Sequence, residues 1–514
     1  MEGRSRRSQF TPSLLALWSL PVNRNAGQQD CGRGLRRMRP YRTELVIMER
    51  TKGQKLALFD TLSRKVRPIT ARDGKSIRIY CCGPTVYRDA HVGNLRTFLL
   101  ADLVSRTLRF QGHHVIIVQN ITDVGHMSDD FDEDKMLAAS TKEKRDPFAI
   151  ARDYEDRFHR DCRALNIESC NLYPRASECI ELMVEHIQQL FDRELAYLGD
   201  DGSVYFAAEK FPSYGELSGN RLDALRPGHR YDYSEGGAKR FHADWALWKA
   251  AGSRTQMIWE TPWGKGFPGW HIECSAMSLK FLDGHIDLHI GGIDLRFPHH
   301  ENERAQSNPV TGDEAVSAWL HGEHLLFEGR KMSKSSGNVV LVSDVIARGF
   351  DPLAIRFCFM ENNYRSQMDL SWAGISAAHS LLKRWREKYQ IWRTSDAEET
   401  SATSEIIDEI SQAFSDDLNT PQAMIALRAV EKEATLSDGE RRQIFETLDP
   451  LLGLNLCAEV IRTTLSQEAE SLLAKREEAR KAKDFEASDR LRDQLAALGI
   501  DVRDTASGQV WERA

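Results

Sequence analysis

One stretch constrains the fold more than any other part of this chain: SIRIYCCGPTVYRDAHVGNLRTFLLADLVSRTLRFQGHHVIIVQNITD, from Ser76 to Asp123. It opens as a β-prone run and stops at Gly83-Pro84, a strong breaker pair. Leu95, Phe98, Leu99, Leu103 and Leu108 then recur at helical spacing, and Gly112 closes the run. Val115–Val118 is an apolar run of strand length. Strand, loop, helix and strand in one short segment make a βαβ unit, hence a parallel sheet with a right-handed crossover. The chain has 514 residues, too many for one ordinary core, so two or more domains are expected.

The rest of the chain supplies the other layers. Residues 136–265 mix helical stretches with loops rich in Gly, Tyr and Pro, which predicts a large insertion. DGHIDLHIGG, Asp283–Gly292, predicts a return to a strand ending in a glycine turn. FPHHENERAQS follows as a helix start, with Pro298 suited to the first turn, where a missing N–H costs nothing. From about residue 375 to 460 the pattern is helical. The tail predicts one more charged helix, Ala469–Gly499, then two short alternating runs, IDVRDT and GQVWER. The expected class is α/β: a Rossmann-like parallel-sheet domain with a large insertion, a C-terminal helical bundle and a small α+β tail.

Composition narrows the function. A net charge of −7 advertises no polyanion partner globally, so any nucleic-acid site must be a local basic surface. Nine scattered cysteines fit reduced thiols of a cytosolic compartment better than a disulfide scaffold. Residues 1–50 read differently: nine arginines and one acidic residue, Asp30, lie between Arg4 and Arg42. The readings are an upstream start or a disordered basic arm, ahead of an organellar transit peptide. The run Leu14–Leu20 is far too short to span a bilayer, and no other stretch could cross one.

Three segments carry chemistry. AHVGN, Ala90–Asn94, sits where the first strand hands over to a helix. Gly93 lets backbone approach a ligand, and the helix N-terminus suits phosphate. His91 and Asn94 are spaced to face that site together. GRKMSKSSGN, Gly329–Asn338, brings Lys331 and Lys334 on a small-residue loop that could close two charges over a triphosphate; it is not a Walker A loop. FPHHENERAQS packs His299, His300, Glu301 and Glu303 into five positions. His299 and Glu303 share a helix face. Taken singly, each segment also reads as an ordinary loop, a solvated basic turn or a surface helix start.

Together, H-x-G-[HN] after the first strand and K-M-S-K-S after the last resemble the signature pair of class I aminoacyl-tRNA synthetases. CGPTVYRDAHVGNLRT, NITD, PGWHIECSAMS, DLRFPHHENERAQS and KMSKSSGN resemble the ordered motifs of the cysteinyl-tRNA synthetases. So does the C-terminal REEARKAKDFEASDRLRDQLAALGIDVRDTASGQVW, and the resemblance spans about residues 54–514. It implies one zinc at the floor of the amino-acid pocket, held by Cys82, Cys274, His299 and Glu303. Spacing to Gly83 and Thr85 within the family motif assigns Cys82 rather than Cys81. Two thiolates, an imidazole and a carboxylate form a plausible tetrahedral zinc set. The resemblance further implies substrate-pocket roles for Thr85, Thr122, Trp270 and His289, with Asp294 near the adenosine ribose. ATP would be held by His91, Gly93, Asn94, Asp294 and Lys334, with His91, Asn94, Lys331 and Lys334 as the catalytic group. His300, Glu301 and Asn302 are expected to pack around the metal ligands.

The implied activity is ATP-dependent activation of L-cysteine and transfer to the 3′ adenosine of tRNA(Cys), with Zn²⁺ reading the thiolate and Mg²⁺ accompanying ATP. A cytoplasmic monomer is expected. The implied division is a basic extension (1–50), the two halves of the catalytic domain (51–135 and 266–330) around the insertion (136–265), the signature loop with a stem-contact region (331–375), a helical tRNA-binding domain (376–460) and an anticodon-binding tail (461–514). Three departures stand out. HVGN replaces H-I-G-H; NITDVGHMSDDFDEDKM suggests a longer loop; Ile290 and Ile293 are expected to crowd the adenosine wall. The nearest rival is the cysteine ligase of mycothiol synthesis, which uses the same adenylate but lacks a full tRNA-binding tail. A non-catalytic RNA-binding paralogue would be expected to have lost a signature lysine or a zinc ligand, and both sets are intact.

Overall fold

A computed structural model describes residues 55–125, 127–128, 131–222, 238–332, 337–459, 466–505 and 508–513. The basic extension, and Lys334 with its neighbours 333–336, lie outside the described residues.

The expected βαβ unit is present: β1 (Ser76–Cys81), α1 (Val92–Phe110) and β2 (His114–Gln119). Two later strands, β3 (Leu288–Gly292) and β4 (Trp319–Gly322), complete a four-stranded sheet of order β4-β3-β1-β2, with every pairing parallel. The chain crosses from β1 to β2 on one side and β3 returns on the other. The strand order therefore reverses between β1 and β3, and ligands of such sheets bind beyond the carboxyl ends of the strands at that point.

Strand alternation sorts the side chains. Ile77, Ile79 and Cys81 of β1, with Leu288 and Ile290 of β3, join the main core with α1. Tyr80 and Cys82 fall on the opposite face with Cys274 and Trp319. The period of two thus separates the adjacent cysteines, Cys81 into the core and Cys82 toward the metal set. Ile290 is fully buried in the main core, so it presents no surface to a nucleotide, contrary to the expected crowding. Of that pair only Ile293 remains partly exposed.

Other elements differ from the sequence expectation for identifiable reasons. The strand in Asp283–Gly292 is only Leu288–Gly292, and its two glycines lie inside the strand rather than in a turn. Pro298 caps the following helix instead of sitting within it; α3 runs from His299 to Thr311. The insertion is built around a five-stranded antiparallel sheet that the mixed pattern concealed. The helix Ile180–Asp192 stops short of Ala196–Leu198, which enters that sheet. Short strands carry too few residues for periodicity to reveal them. The longer loop after NITD folds back as a hairpin, with Met127 opposite Asp134.

After the signature segment the chain forms the helices Trp372–Trp392, Ser401–Ser415, Thr420–Lys432 and Asp438–Leu452. Ser371, Thr400, Asn419 and Ser437 each accept a hydrogen bond from the first turn of the helix they precede. These helices share one continuous core with the parallel sheet, ending at Leu456. The tail has its own small core of Ala469, Leu473, Leu495, Ile500 and Val502. Its single expected helix is two, Gln467–Lys481 and Phe485–Ala497, broken where Lys483 adopts φ 62°. The two alternating runs pair as the hairpin Ile500–Thr505 with Gly508–Arg513.

Candidate active site and metal centre

Three segments deliver the metal set. Cys82 follows the last residue of β1, its N–H donating to the Ile290 carbonyl of β3 at 3.2 Å. Cys274 lies on α2 (Trp270–Phe281), and His299 and Glu303 open α3. The sequence expectation placed His299–Ser307 at a helix start; in the fold every residue of that run is buried. Glu301 accepts from the Ser218 N–H at 2.7 Å, and Asn302 accepts from the Tyr214 hydroxyl at 2.6 Å. These two polar residues thus hold the insertion against α3 and leave the metal side to their neighbours.

Cys82, Cys274, His299 and Glu303 each offer one donor atom within 4.8 Å of the others. Cys82 Sγ lies 3.9 Å from Cys274 Sγ and 3.6 Å from Glu303 Oε1, and His299 Nε2 lies 2.9 Å from Glu303 Oε1. Zinc bonds of about 2.0–2.3 Å hold tetrahedral ligands roughly 3.3–3.8 Å apart, so the spacing fits such an ion. Charge fits as well. A hydrogen bond from Cys82 lowers the Cys274 thiol to about 6 against burial. Burial pushes Glu303 up, but His289 and His299 outweigh it and hold the carboxyl at about 2. Burial presses His299 down, yet Glu303 and Cys274 raise it to about 10. A buried thiolate and carboxylate side by side favour a cation, a place the His299 imidazolium fills and a metal ion would take on displacing its proton, while burial pushes the Cys82 thiol up.

The His299 ring is fixed by His271, Nδ1 to Nδ1 at 2.9 Å, leaving Nε2 for the metal side. Trp270 lies over it, with ring centroids 4.3 Å apart. A second donor set, Cys82, His289, His300 and Glu303, shares two members with the first. His300 was expected to pack around the metal ligands, and the fold adds the partners that hold it there. His300 Nδ1 meets His321 Nε2 at 2.8 Å, and His321 Nδ1 meets Thr61 Oγ1 at 2.7 Å. Gly291 makes room for this ring: a Cβ there would lie 2.5 Å from His300 Cε1. Nothing in the spacing of Thr61 or His321 signals that chain.

Of the residues expected to line the pocket, His289 lies directly beside the metal set. His289 Nε2 is 3.5 Å from Cys82 Sγ and 3.6 Å from Glu303 Oε2. Thr85 and Thr122 form a parallel bridge, and Thr122 Oγ1 donates to Glu273 Oε2 at 2.9 Å. Glu273, which the sequence did not single out, is fully buried, and burial raises its pKa well above the usual range.

The nucleotide motifs form the other half of the site. His91 caps α1: its Nδ1 accepts from the Asn94 N–H at 3.2 Å, while Asn94 Oδ1 accepts from the His91 N–H at 3.2 Å. The Asn94 oxygen is therefore spent on the helix start rather than aimed at a ligand. Burial, then Arg88, lowers His91 to about 4, so at neutral pH it offers a neutral Nε2–H. Asp294 is exposed and close enough to influence His91. The chain just after the signature segment meets α1 directly, with the Val92 N–H donating to the Val340 carbonyl at 3.0 Å. Lys331 is exposed on the short strand Arg330–Lys331.

Comparison with known proteins agrees with this geometry. Residues 68–380 match the family described as "tRNA synthetases class I (C) catalytic domain", and residues 462–511 match "Cysteinyl-tRNA ligase anticodon binding domain". The chain is 41% identical over 481 residues to a cysteine–tRNA ligase of Thermus thermophilus, covering 89% of this chain and 99% of that one. It is 38% identical over 478 residues to a cysteine–tRNA ligase of Geobacillus thermodenitrificans, with the same coverage. Among solved structures, Mycobacterium tuberculosis methionyl-tRNA synthetase with methionyl-adenylate superposes with a TM-score of 0.50 at 16% identity, covering 73% of this chain and 89% of that chain. The Agrobacterium radiobacter K84 agnB2 LeuRS–tRNA–LeuAMS complex gives 0.56 at 11%, covering 80% and 87%. The last two show a shared fold. With both family matches in chain order and relatives at this identity across their whole length, this chain belongs to the cysteine–tRNA ligases, class I aminoacyl-tRNA synthetases.

Proposed function

We propose that the chain activates L-cysteine with Mg²⁺·ATP and passes the cysteinyl group to the terminal adenosine of tRNA(Cys), with Zn²⁺ held by Cys82, Cys274, His299 and Glu303. The observation that carries this reading is the buried set of two thiols, an imidazole and a carboxylate at the strand-order reversal. Of the two overlapping donor sets, the one with two thiols suits zinc better, because thiolates are its softer partners. It also leaves His289 free to line the pocket with Thr85, Thr122 and Trp270. When bound, zinc supplies a soft Lewis acid that prefers the thiolate of cysteine to the hydroxyl of serine.

The protein's own groups do the rest. The cysteine carboxylate attacks the α-phosphate of ATP, and pyrophosphate leaves. His91 donates a hydrogen bond from Nε2 to the phosphates without carrying charge, and the helix N-terminus at Gly93 faces them, while Asn94 keeps the His91 cap in place. Asp294 accepts from the ribose. Lys331 and Lys334 balance the charge that develops on the departing pyrophosphate. Positioning suffices for the transfer to tRNA. The chain acts as a cytoplasmic monomer; no helix among the described residues is long and apolar enough to cross a membrane. The small-molecule ligase reading is disfavoured by the match of residues 462–511 to an anticodon-binding domain.

The test is ATP–pyrophosphate exchange with each amino acid, followed by charging of total tRNA. Exchange with cysteine alone and charging of one isoacceptor group support the reading. Exchange with a different amino acid would overturn it. Lys334→Ala is expected to slow adenylate formation on the order of 10²–10³-fold, as for the loss of one oriented donor, with zinc content unchanged. Unaltered exchange kinetics would remove the loop from the mechanism.

A further inference from the structure

Arg96 sits on α1, in the turn after the HVGN motif, and is only 6% exposed. Its guanidinium is spent on main-chain carbonyls. Nη1 donates to Glu323 O at 2.7 Å and His324 O at 2.8 Å; Nη2 donates to Asn363 O at 3.2 Å and Ser366 O at 2.8 Å. Among the described residues no carboxylate lies within ion-pair distance of it. Burial lowers its pKa to about 10, with Glu323 opposing the shift. A buried cation without a counter-ion is costly, and a fork of fixed geometry on four acceptors fixes position better than it adds stability.

What it holds explains the arrangement. The two gripped segments are themselves joined, Glu323 N–H to Tyr364 O at 2.8 Å and Met368 N–H to His324 O at 3.2 Å. Each then enters a three-stranded sheet of β5 (Leu325–Phe327), β6 (Arg330–Lys331) and β7 (Met368–Leu370). β5 pairs with β7 from Leu325 opposite Met368, and with β6 through Leu326 opposite Lys331. That sheet carries Lys331 and leads into Met332. At its far end it returns to α1: the Met332 methyl lies 2.8 Å from where a Cβ on Gly93 would stand. Glycine at position 93 leaves room for that contact; a Cβ there would make the Met332 side chain shift. The sheet is thus tied to the helix of the first nucleotide motif at two places, the Arg96 fork and the Gly93–Met332 contact.

We propose that Arg96 is a positioning residue that sets the Lys331–Met332 hairpin in register with His91 and Gly93, so that the two nucleotide motifs act on one triphosphate. The assignment rests on the adenylate-forming reading above. Arg96 touches neither the metal set nor the cysteine pocket, so its effect belongs to the ATP half of the reaction alone.

The test uses Arg96→Lys in the full-length zinc-loaded enzyme. Lysine keeps the charge, but its single ammonium cannot span four carbonyls. Single-turnover adenylate formation is measured per active site, with the active fraction fixed by titration, so that partial unfolding does not mimic a kinetic defect. The expected result is a rate slower by about 10–100-fold (~10²-fold is the order of loss for a misplacement near 1 Å) and a raised KM for ATP. Zinc content and the KM for cysteine stay unchanged. Arg96→Gln, which keeps two N–H donors without a buried charge, gives the same split if the lysine variant does not fold.

A per-site rate within about twofold of wild type overturns the proposal. So does a loss shared equally by the ATP and cysteine parameters, or failure of both variants to fold, since Arg96 is then a stability residue. Absence of cysteine-dependent exchange in the wild-type enzyme would instead strike the functional reading itself.

Discussion

In a Cys82→Ser variant the preference for cysteine over serine collapses. A pocket built around one specific bond rejects the analogue lacking it by roughly 10⁴–10⁵, whereas a pocket that separates near-isosteres by size manages about 10–200. Cys82 lies 3.9 Å from Cys274, 3.6 Å from Glu303 and 3.5 Å from His289, so it touches both the metal set and the pocket. Replacing it therefore lowers zinc affinity and cysteine binding together. Discrimination measured by pyrophosphate exchange should fall by about 10²–10³-fold, with zinc content by metal analysis falling alongside. X-ray absorption of the wild-type enzyme provides the complementary measurement. Two sulfur neighbours are expected from Cys82 and Cys274, and addition of cysteine should bring a third near the typical ~2.3 Å zinc–thiolate distance. An unchanged sulfur count would make the metal structural only and would remove the explanation for rejecting serine.

A chain ending at Glu459 is expected to keep cysteine-dependent exchange and lose most tRNA charging. The cut point follows from the cores. A cut near Glu387 would split the helix Trp372–Trp392 and open the core it shares with the parallel sheet. That core ends at Leu456, and the tail beyond has its own small core. Trp511 is 37% exposed and available to stack on a base. The basic run Lys475–Lys483 contributes less than its sequence suggests. Arg476 is fully buried in a two-armed ion pair with Asp504, Arg480 also binds Asp504 at 3.0 Å, and Lys481 pairs with Glu477. A stacked base is worth about 1–3 kcal/mol, and with the phosphate contacts alongside, charging efficiency should drop by about 100-fold or more. Full charging by the shortened chain would reduce the tail to a solvated appendage and revive the small-molecule ligase reading.

By itself the sequence determined the elements whose signal is local. The βαβ unit was legible because Leu95, Phe98, Leu99, Leu103 and Leu108 repeat over a helix long enough for its period to stand out. The bundle helices were legible for the same reason, and the metal set was implied only through the resemblance of the motifs to those of the cysteinyl-tRNA synthetases. Tertiary structure decided what depends on partners far away in the chain. The family motif already implied Cys82 rather than Cys81, but the physical reason lies in the fold, where pleat alternation turns Cys81 into the core and Cys82 toward Cys274. Ile290 was assigned to a ligand wall, yet the same alternation buries it beneath α1. The insertion's sheet escaped notice because three-residue strands gain their identity from neighbours, not from their own pattern. Nothing local in the sequence marks Arg96. Its use is set by the four carbonyls contributed from residues 323–366, which fold against it only when the whole domain has closed.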